Sequence, residues 1–310
     1  MPDRIVHHGA MGQLLGDVEA AGSGEIVWWE VAEREIDLRS AAVRSIALHD
    51  VSGPLVLRVH PHTQSVFLAG DLRKVEIFGL EGEEVIVQLQ GDVGAGLPRG
   101  LDSVAELQVS STPMLDLAVL HGLTRLRSLT VRDVPGRIAS TSVLGALPGL
   151  ERIRFYNTYD IDAAAFPRPE MFHDLQLVSF DGLFTSDAKV LRERLKGFWN
   201  AHVNHPRSAK WMAENINNPF RSWGDDDRTL GRRANELWRN ALTDARRQDS
   251  VADSLRIVTE FTDGLRVLAE EFPLDTLCRE QATEALDRLA HLELGLPEGT
   301  DAVPSQGWEW

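Results

Sequence analysis

Apolar residues recur with one spacing through the middle of the chain. Leu101, Val104, Leu107 and Val109 are followed by Leu123, Leu126, Leu129 and Val131, then by Leu147, Leu150, Ile153 and Phe155, and then by Phe172, Leu175, Val178 and Phe180. The sets are offset by 22, 24 and 25 residues. The last two positions of each set alternate, as in a strand that buries one face. The segments between sets carry helical spacing: Leu117, Leu120 and Leu123 after Asp116, and Leu144 and Leu147 after the Ser/Thr run at 140–142. Each unit therefore predicts a strand with a helical return. A single unit cannot bury its own apolar face, so successive units must stack, which predicts an α/β solenoid.

Upstream, shorter alternating runs stand at 46–48, 55–59, 66–70, 75–79 and 85–89, about ten residues apart and separated by Gly, Pro and Asp. That spacing leaves no room for a helix in each connection. These runs are expected to continue the same sheet through tight turns, giving a short-repeat N-terminal part to a solenoid that spans residues 43–185. Residues 1–42, with the run IVWWEV, are expected to cap its first rung, because an open end exposes both core and strand edge.

From Ser186 the apolar period changes from 2 to 3.6. Val190, Leu191, Leu195 and Phe198 fit one helix that closes the array. Further stripes run through Leu230, Ala234, Leu237, Trp238, Ala241 and Ala245, through Val251, Leu255, Val258, Phe261, Leu265, Leu268 and Phe272, and through Leu277, Cys278, Ala282, Ala285, Leu286, Leu289 and Leu292. Ser250 with Asp253 opens the second of these in a capping pattern, and Pro273 separates it from the third. Residues 227–310 thus predict an all-α antiparallel bundle with a tail ending in GWEW.

Between the two regions, residues 186–226 read as a capping helix and a joint. Pro206 opens a short helix that Asn217, Asn218 and Pro219 stop, since proline cannot continue helical hydrogen bonding. Phe220, Arg221 and Trp223 follow, and Phe220 and Trp223 are expected to anchor the joint against the solenoid or the bundle. The acids at 225–227 are placed where a helix start favours negative charge, in preference to a cation site, because the downstream glutamate of a calcium loop is missing.

The repeat periods lie in the leucine-rich-repeat range. The stretch WMAENINNPFRSWGDDD (211–227), preceded by AAAFPRP (163–169) and followed by helices and the GWEW ending, resembles a family of uncharacterised bacterial leucine-rich-repeat proteins, some labelled gliding motility proteins. The resemblance covers about residues 100–310 and implies architecture only, with no reaction, cofactor or catalytic residue to carry over. One departure stands out: where such repeats place an asparagine after the strand, this chain has Thr112, Val134, Thr158 and Leu183. Less regular turns are expected.

With 310 residues the chain has length enough for a large core without staples, and the single Cys278 rules out an intramolecular disulfide. Cys278 lies on an apolar stripe and reads as a structural thiol. No segment has the length and apolarity of a membrane helix or secretory signal, so a cytoplasmic protein with no membrane contact is expected. The formal charge of −15 is spread evenly, −8 over residues 1–196 and −7 over residues 197–310, which disfavours nucleic acid as a partner and leaves basic proteins open.

The phosphate-loop, dinucleotide and nucleophile-elbow fingerprints are all missing from the sequence, and GDVGAGLPRG (91–100) is a loop with proline where a phosphate-binding helix would begin. His202 and His205 lie in a predicted linker and read as surface histidines. His60 and His62 fall at a turn, and His7 and His8 read as terminal residues. No catalytic residue, metal or cofactor is therefore assigned.

What remains is the sheet. If Leu107/Val109, Leu129/Val131, Ile153/Phe155 and Val178/Phe180 point inward, their neighbours form the opposite face. That face carries Glu106, Gln108, Ser110, Ser128, Thr130, Arg132, Arg152, Arg154, Tyr156, Ser179 and Asp181. Arg132, Arg152, Arg154 and Tyr156 make a positive, aromatic patch of the residue types enriched at interface hot spots. The sequence favours a non-enzymatic protein-binding module, in one form an immunity or antitoxin-like protein whose acidity suits a basic toxin. The alternative is an enzyme with an unrecognised site between solenoid and helices, around Arg221, Asp225 and His205.

Overall fold

A computed structural model describes residues 4–9, 24–82, 84–93, 96–225 and 227–297, with the side chain of Leu277 also outside the described set. The GWEW tail and Asp226 lie outside these residues. The chain divides into two compact units, residues 1–208 and 209–310.

The first unit is built on a ten-stranded, all-parallel sheet whose strands follow one another in chain order. They are β1 (Arg4–His8), β2 (Glu25–Trp29), β4 (Ser45–Val51), β6 (Ser65–Asp71), β8 (Val85–Asp92), β9 (Val104–Ser110), β11 (Ser128–Arg132), β13 (Arg152–Tyr156), β15 (Leu177–Asp181) and β16 (Ala201–Asn204). The skipped strands form two small parallel sheets: β3 (Glu35–Asp37), β5 (Leu55–Arg58) and β7 (Val75–Phe78) in one, and β10 (Leu115–Asp116), β12 (Arg137–Ala139) and β14 (Asp160–Ile161) in the other. Alternate members of the ten-residue series thus belong to different sheets rather than to one. Ten residues carry the chain half-way round a rung, so it goes out in one sheet and returns in another.

Register places the sequence repeat in stacked columns. Leu107, Leu129, Ile153 and Val178 are paired across β9, β11, β13 and β15, as are Val109, Val131, Phe155 and Phe180, and all eight are buried. The returns of these later rungs differ from the expected helices. They are 3₁₀ turns at Leu117–Leu120, Thr141–Ala146 and Pro169–Met171, joined to strands of two or three residues. The buried leucines there are spaced strictly by three, the 3₁₀ period and not the α period.

Three more expectations are corrected. Residues 25–29 do not cap the array: β2 is a rung paired on both sides, with Ile26 and Trp28 fully buried and the Trp28 indole donating to Gly9 O at 2.7 Å. The stretch around His202, expected to be a linker, is the tenth strand, with Ala201 opposite Val178 and Val203 opposite Phe180. Helix α1 (Thr185–Arg194) buries Ala188 and Leu191, and Leu195 just after it, whereas Val190 faces solvent and Phe198 lies beyond the helix.

Every rung turns the same corner. Gly9, Glu30, Asp50, Gly70, Gly91, Ser111, Asp133, Asn157, Gly182 and His205, spaced 20 to 25 residues apart, all have positive φ at or just past the end of a sheet strand. Glycine, asparagine and aspartate tolerate this left-handed conformation best. At Gly70, with φ of 127°, a Cβ would come 2.3 Å from the Val51 carbonyl oxygen of the rung before. The next position along from the later corners holds Thr112, Val134, Thr158 and Leu183, all buried in place of an asparagine ladder.

The second unit contains α2 (Ala209–Asn215), α3 (Arg228–Ala245), α4 (Val251–Glu271) and α5 (Thr276–Asp287), the last continuing into a π-helical turn, Arg288–Glu293. Its core joins Ala234, Trp238 and Ala241 of α3 to Val258, Phe261 and Leu265 of α4 and to Ala282, Ala285 and Leu286 of α5. Val251 and Leu292, expected on these stripes, are exposed at the helical ends. Caps follow the sequence: Asp227 accepts from the Thr229 and Leu230 amides, Ser250 from Asp253, and Asp275 from Cys278.

Gly224 and Gly231 mark a close approach inside this unit. A Cβ on Gly231 would lie 2.3 Å from Gly224 Cα. Glycine at a buried position of α3 is therefore a packing requirement that outweighs its weak helix propensity.

Candidate functional site

Alternation that buries one face of β9, β11 and β13 sets three columns of side chains on the other. One column runs Gln88, Gln108, Thr130, Arg154, Ser179, His202 across consecutive strands. A second runs Glu106, Ser128, Arg152, and a third runs Gln90, Ser110, Arg132, Tyr156. Arg132, Arg152, Arg154 and Tyr156 are each half-buried on this face. Ser128 and Thr130 between them are buried, which the alternation alone did not indicate.

The three arginines are used differently. Arg152 Nη2 donates to Glu106 Oε1 at 2.7 Å, reaching over Ser128, with the two side chains 37% and 43% exposed. A pair this open is worth little in stability, about 0–1 kcal/mol. The Arg132 guanidinium lies over the Tyr156 ring, 4.9 Å from its centroid, and its Nε is buried without an acceptor. Arg154 has no hydrogen bond or ion pair among the described residues.

Elsewhere in the array, half-buried or exposed arginines meet acids on the same or the neighbouring rung, as in Arg39–Asp37, Arg58–Glu35, Arg73–Asp71 and Arg99–Glu76. The Arg73 guanidinium beside Asp71 holds that carboxyl down to about 2. Neither Arg132 nor Arg154 has an acid or a carbonyl bonded to its guanidinium among the described residues. An unmade hydrogen bond on a buried donor costs about 1–3 kcal/mol.

Both line one groove on the sheet face, about 460 Å³ in volume, together with Gln88, Gln108, Thr130 and Tyr156. Glu106 also borders it, its charge already met by Arg152. The groove therefore presents two uncompensated cations on a protein whose net charge is strongly negative.

Toward β1 the same face becomes aromatic. His8, Trp29 and His49 stack on successive rungs and Phe67 packs tilted against His49, with centroids 6.3, 3.7 and 4.9 Å apart. Burial in this stack holds the His49 imidazole below its usual 6.5, against the opposing influence of Asp50. The ladder was missed in the sequence because His8 reads as a terminal residue and Trp29 as part of a cap. Its signal is an aromatic at one position of the first three rungs, 8, 29 and 49, with Phe67 set back two residues on the fourth, visible only once the period of 20 is known.

The remaining sequence candidates have partners within their own unit. His202 Nε2 bonds Asn200 Oδ1 at 2.9 Å, and His205 Nδ1 bonds Asp181 Oδ2 at 2.8 Å, both at exposed positions. His60 and His62 share a turn, as expected. Pro219, Phe220, Arg221 and Trp223 belong to the helical unit, which begins at Ala209. Phe220 is fully buried against Trp223, Trp238 and Phe261; Trp223 Nε1 donates to Gln281 Oε1 at 2.8 Å; and Arg221 Nη1 donates to Ile216 O at 3.1 Å. Asn218 fixes the turn, accepting from the Phe220 amide and donating to Asn235. Among the described residues no helix is long and apolar enough to cross a membrane. Comparison with protein-family models, with curated proteins and with solved structures finds no match.

Proposed function

We propose that the first unit is an irregular, leucine-rich-repeat-like solenoid of the kind its sequence resembles, and that it acts in the cytoplasm as a protein-binding module without chemistry of its own. The binding surface is the outward face of the ten-stranded sheet, centred on Arg132, Arg152, Arg154 and Tyr156. The observation that carries this reading is one groove lined by Arg132 and Arg154, neither bonded to an acid, with the Arg132 Nε buried and lacking an acceptor. Buried polar groups are ordinarily satisfied, and a partner that brings acceptors would satisfy these. Arginine and tyrosine are also the side chains that most often concentrate binding energy.

In its specific form the reading makes the chain an antitoxin-like protein. Its strong acidity would steer a basic toxin to the surface, and the groove would hold an acidic element of that toxin. The test is a pull-down from the native host with wild type and the R132E/R152E/R154E variant, bound proteins being identified by mass spectrometry. A stoichiometric partner lost from the variant, with melting nearly unchanged, is expected. Equal recovery by both proteins would refute the surface.

A further inference from the structure

We infer that the groove is a carboxylate subsite: a Glu or Asp side chain of the partner docks between Arg132 and Arg154, while Arg152 takes no part in holding it. The inference rests on the protein-binding reading and sharpens it.

Geometry brings the two arginines onto one ligand. Thr130 is paired with Arg154, and Arg132 with Tyr156, so Arg132 and Arg154 are diagonal neighbours on adjacent strands. With strands ~4.8 Å apart and side chains on one face ~6.6 Å apart along a strand, their Cα atoms are roughly 8 Å from each other. Two long side chains at that separation converge easily on one anion. Stacking on Tyr156 occupies only the flat face of the Arg132 guanidinium. Among its donors only Nε is buried, so the two Nη groups remain accessible to a carboxylate.

The same face displays the interaction already made once. Glu106 and Arg152 pair at 2.7 Å one column away, a carboxylate on a guanidinium in the same half-exposed setting. That pair spends the charge of Arg152 and removes Glu106 as an internal competitor for Arg132 and Arg154. Carboxylate is favoured over phosphate by the rest of the lining: Gln88, Gln108 and Thr130 form an uncharged row of donors and acceptors suited to a peptide backbone around the acidic side chain. A lone phosphate would leave that row unused.

The experiment uses the full chain and a labelled, end-blocked acidic peptide, Gly-Asp-Glu-Asp-Gly, followed by fluorescence anisotropy. Its Asn/Gln counterpart and inorganic phosphate serve as competitors. Saturable binding of the acidic peptide is expected. It should weaken at least about tenfold in R132Q and in R154Q, whose folding is checked by circular dichroism, and stay within about threefold in R99Q, which breaks an exposed pair with Glu76 outside the groove. Salt should weaken it, because charges at this exposure are screened. Unchanged binding in R132Q and R154Q would overturn the inference, as would equal competition by the amide peptide, stronger competition by phosphate, or no binding at all. Such a failure leaves the surface reading standing as long as the pull-down still loses its partner in the triple variant. Should the triple variant keep its partner, the surface itself is wrong.

Discussion

Four arginines of the helical unit and two on the central sheet face are used in opposite ways. In the helices, arginines find acids close at hand: Arg256 with Glu260 and Arg266 with Asp263 along α4, Arg288 with Glu293, and Arg233 with Glu271 across α3 and α4. On the central sheet face, Arg132 and Arg154 sink halfway into the surface and meet no acid. A helix carries charged residues around its outer surface and can pair them at i+3 or i+4. A sheet face offers only the columns above and below, and here those columns hold Gln, Ser and Thr. Arg132 and Arg154 are thus left without an acid by the fold, whereas Arg233, Arg256, Arg266 and Arg288 are paired within it.

The units differ as much in how they are stabilised, and mutations separate them. Leu129 is central to the strand columns, paired with Leu107 and Ile153 and fully buried. Leu129→Asp should cost more than about 4 kcal/mol and abolish the strand signal in far-ultraviolet circular dichroism. A native spectrum with unchanged melting would mean that the register is wrong. In the helical unit the matching residue is Phe220, surrounded by three aromatics; Phe220→Ala should cost about 3–5 kcal/mol in denaturant unfolding. A loss below about 1 kcal/mol would take it out of the core.

Gly231→Ala sharpens the contrast between propensity and packing. Alanine is the better helix former by about 1 kcal/mol, yet its Cβ would run into the Gly224 backbone. A net loss of about 1–3 kcal/mol is expected, and a gain in stability would show that the two segments part without cost. The smallest effect is electrostatic and belongs to the array. His49 titrates below 6.5 when folded, so well above pH 6.5 it is neutral in both states and contributes no pH dependence. As pH falls from 6.5 toward the folded value, the unfolded chain takes up the proton first and stability declines. His49→Phe should flatten the pH profile between about 7 and 5 relative to wild type; identical profiles would show that the aromatic stack does not perturb the imidazole.

Much of this was legible from residue spacing. The four apolar sets give the register of β9 to β15 to the residue, because a parallel pairing between equal repeats has one solution that buries both columns. The outward placement of Arg132, Arg152, Arg154 and Tyr156 follows from it. The helices were legible through their caps at Asp227, Ser250 and Asp275. Spacing alone did not show the division of the short runs between two sheets, since ten residues fit half a turn of one coil as well as a full tight turn of another. β16 was hidden because four residues with two apolar positions carry almost no period. The division of labour among the arginines was illegible for a different reason: Glu106 and Arg152 are 46 residues apart, and only the stacking of rungs makes them neighbours.

The thermal stability of R132M/R154M, measured beside that of R233M and wild type, tests most directly whether the array holds these arginines for a partner. Methionine keeps the length and volume of the buried stem while removing donors that have no acceptor, so that only the Arg132 contact with Tyr156, about 0.5–1 kcal/mol, is given up. The expected result is a melting temperature within about 4 °C of wild type, together with loss of acidic-peptide binding. R233M, which breaks an existing pair with Glu271, should lose at most about 1 kcal/mol and keep binding. A fall of more than about 4 °C in R132M/R154M would contradict the claim, because it would show that the fold itself relies on the two guanidiniums.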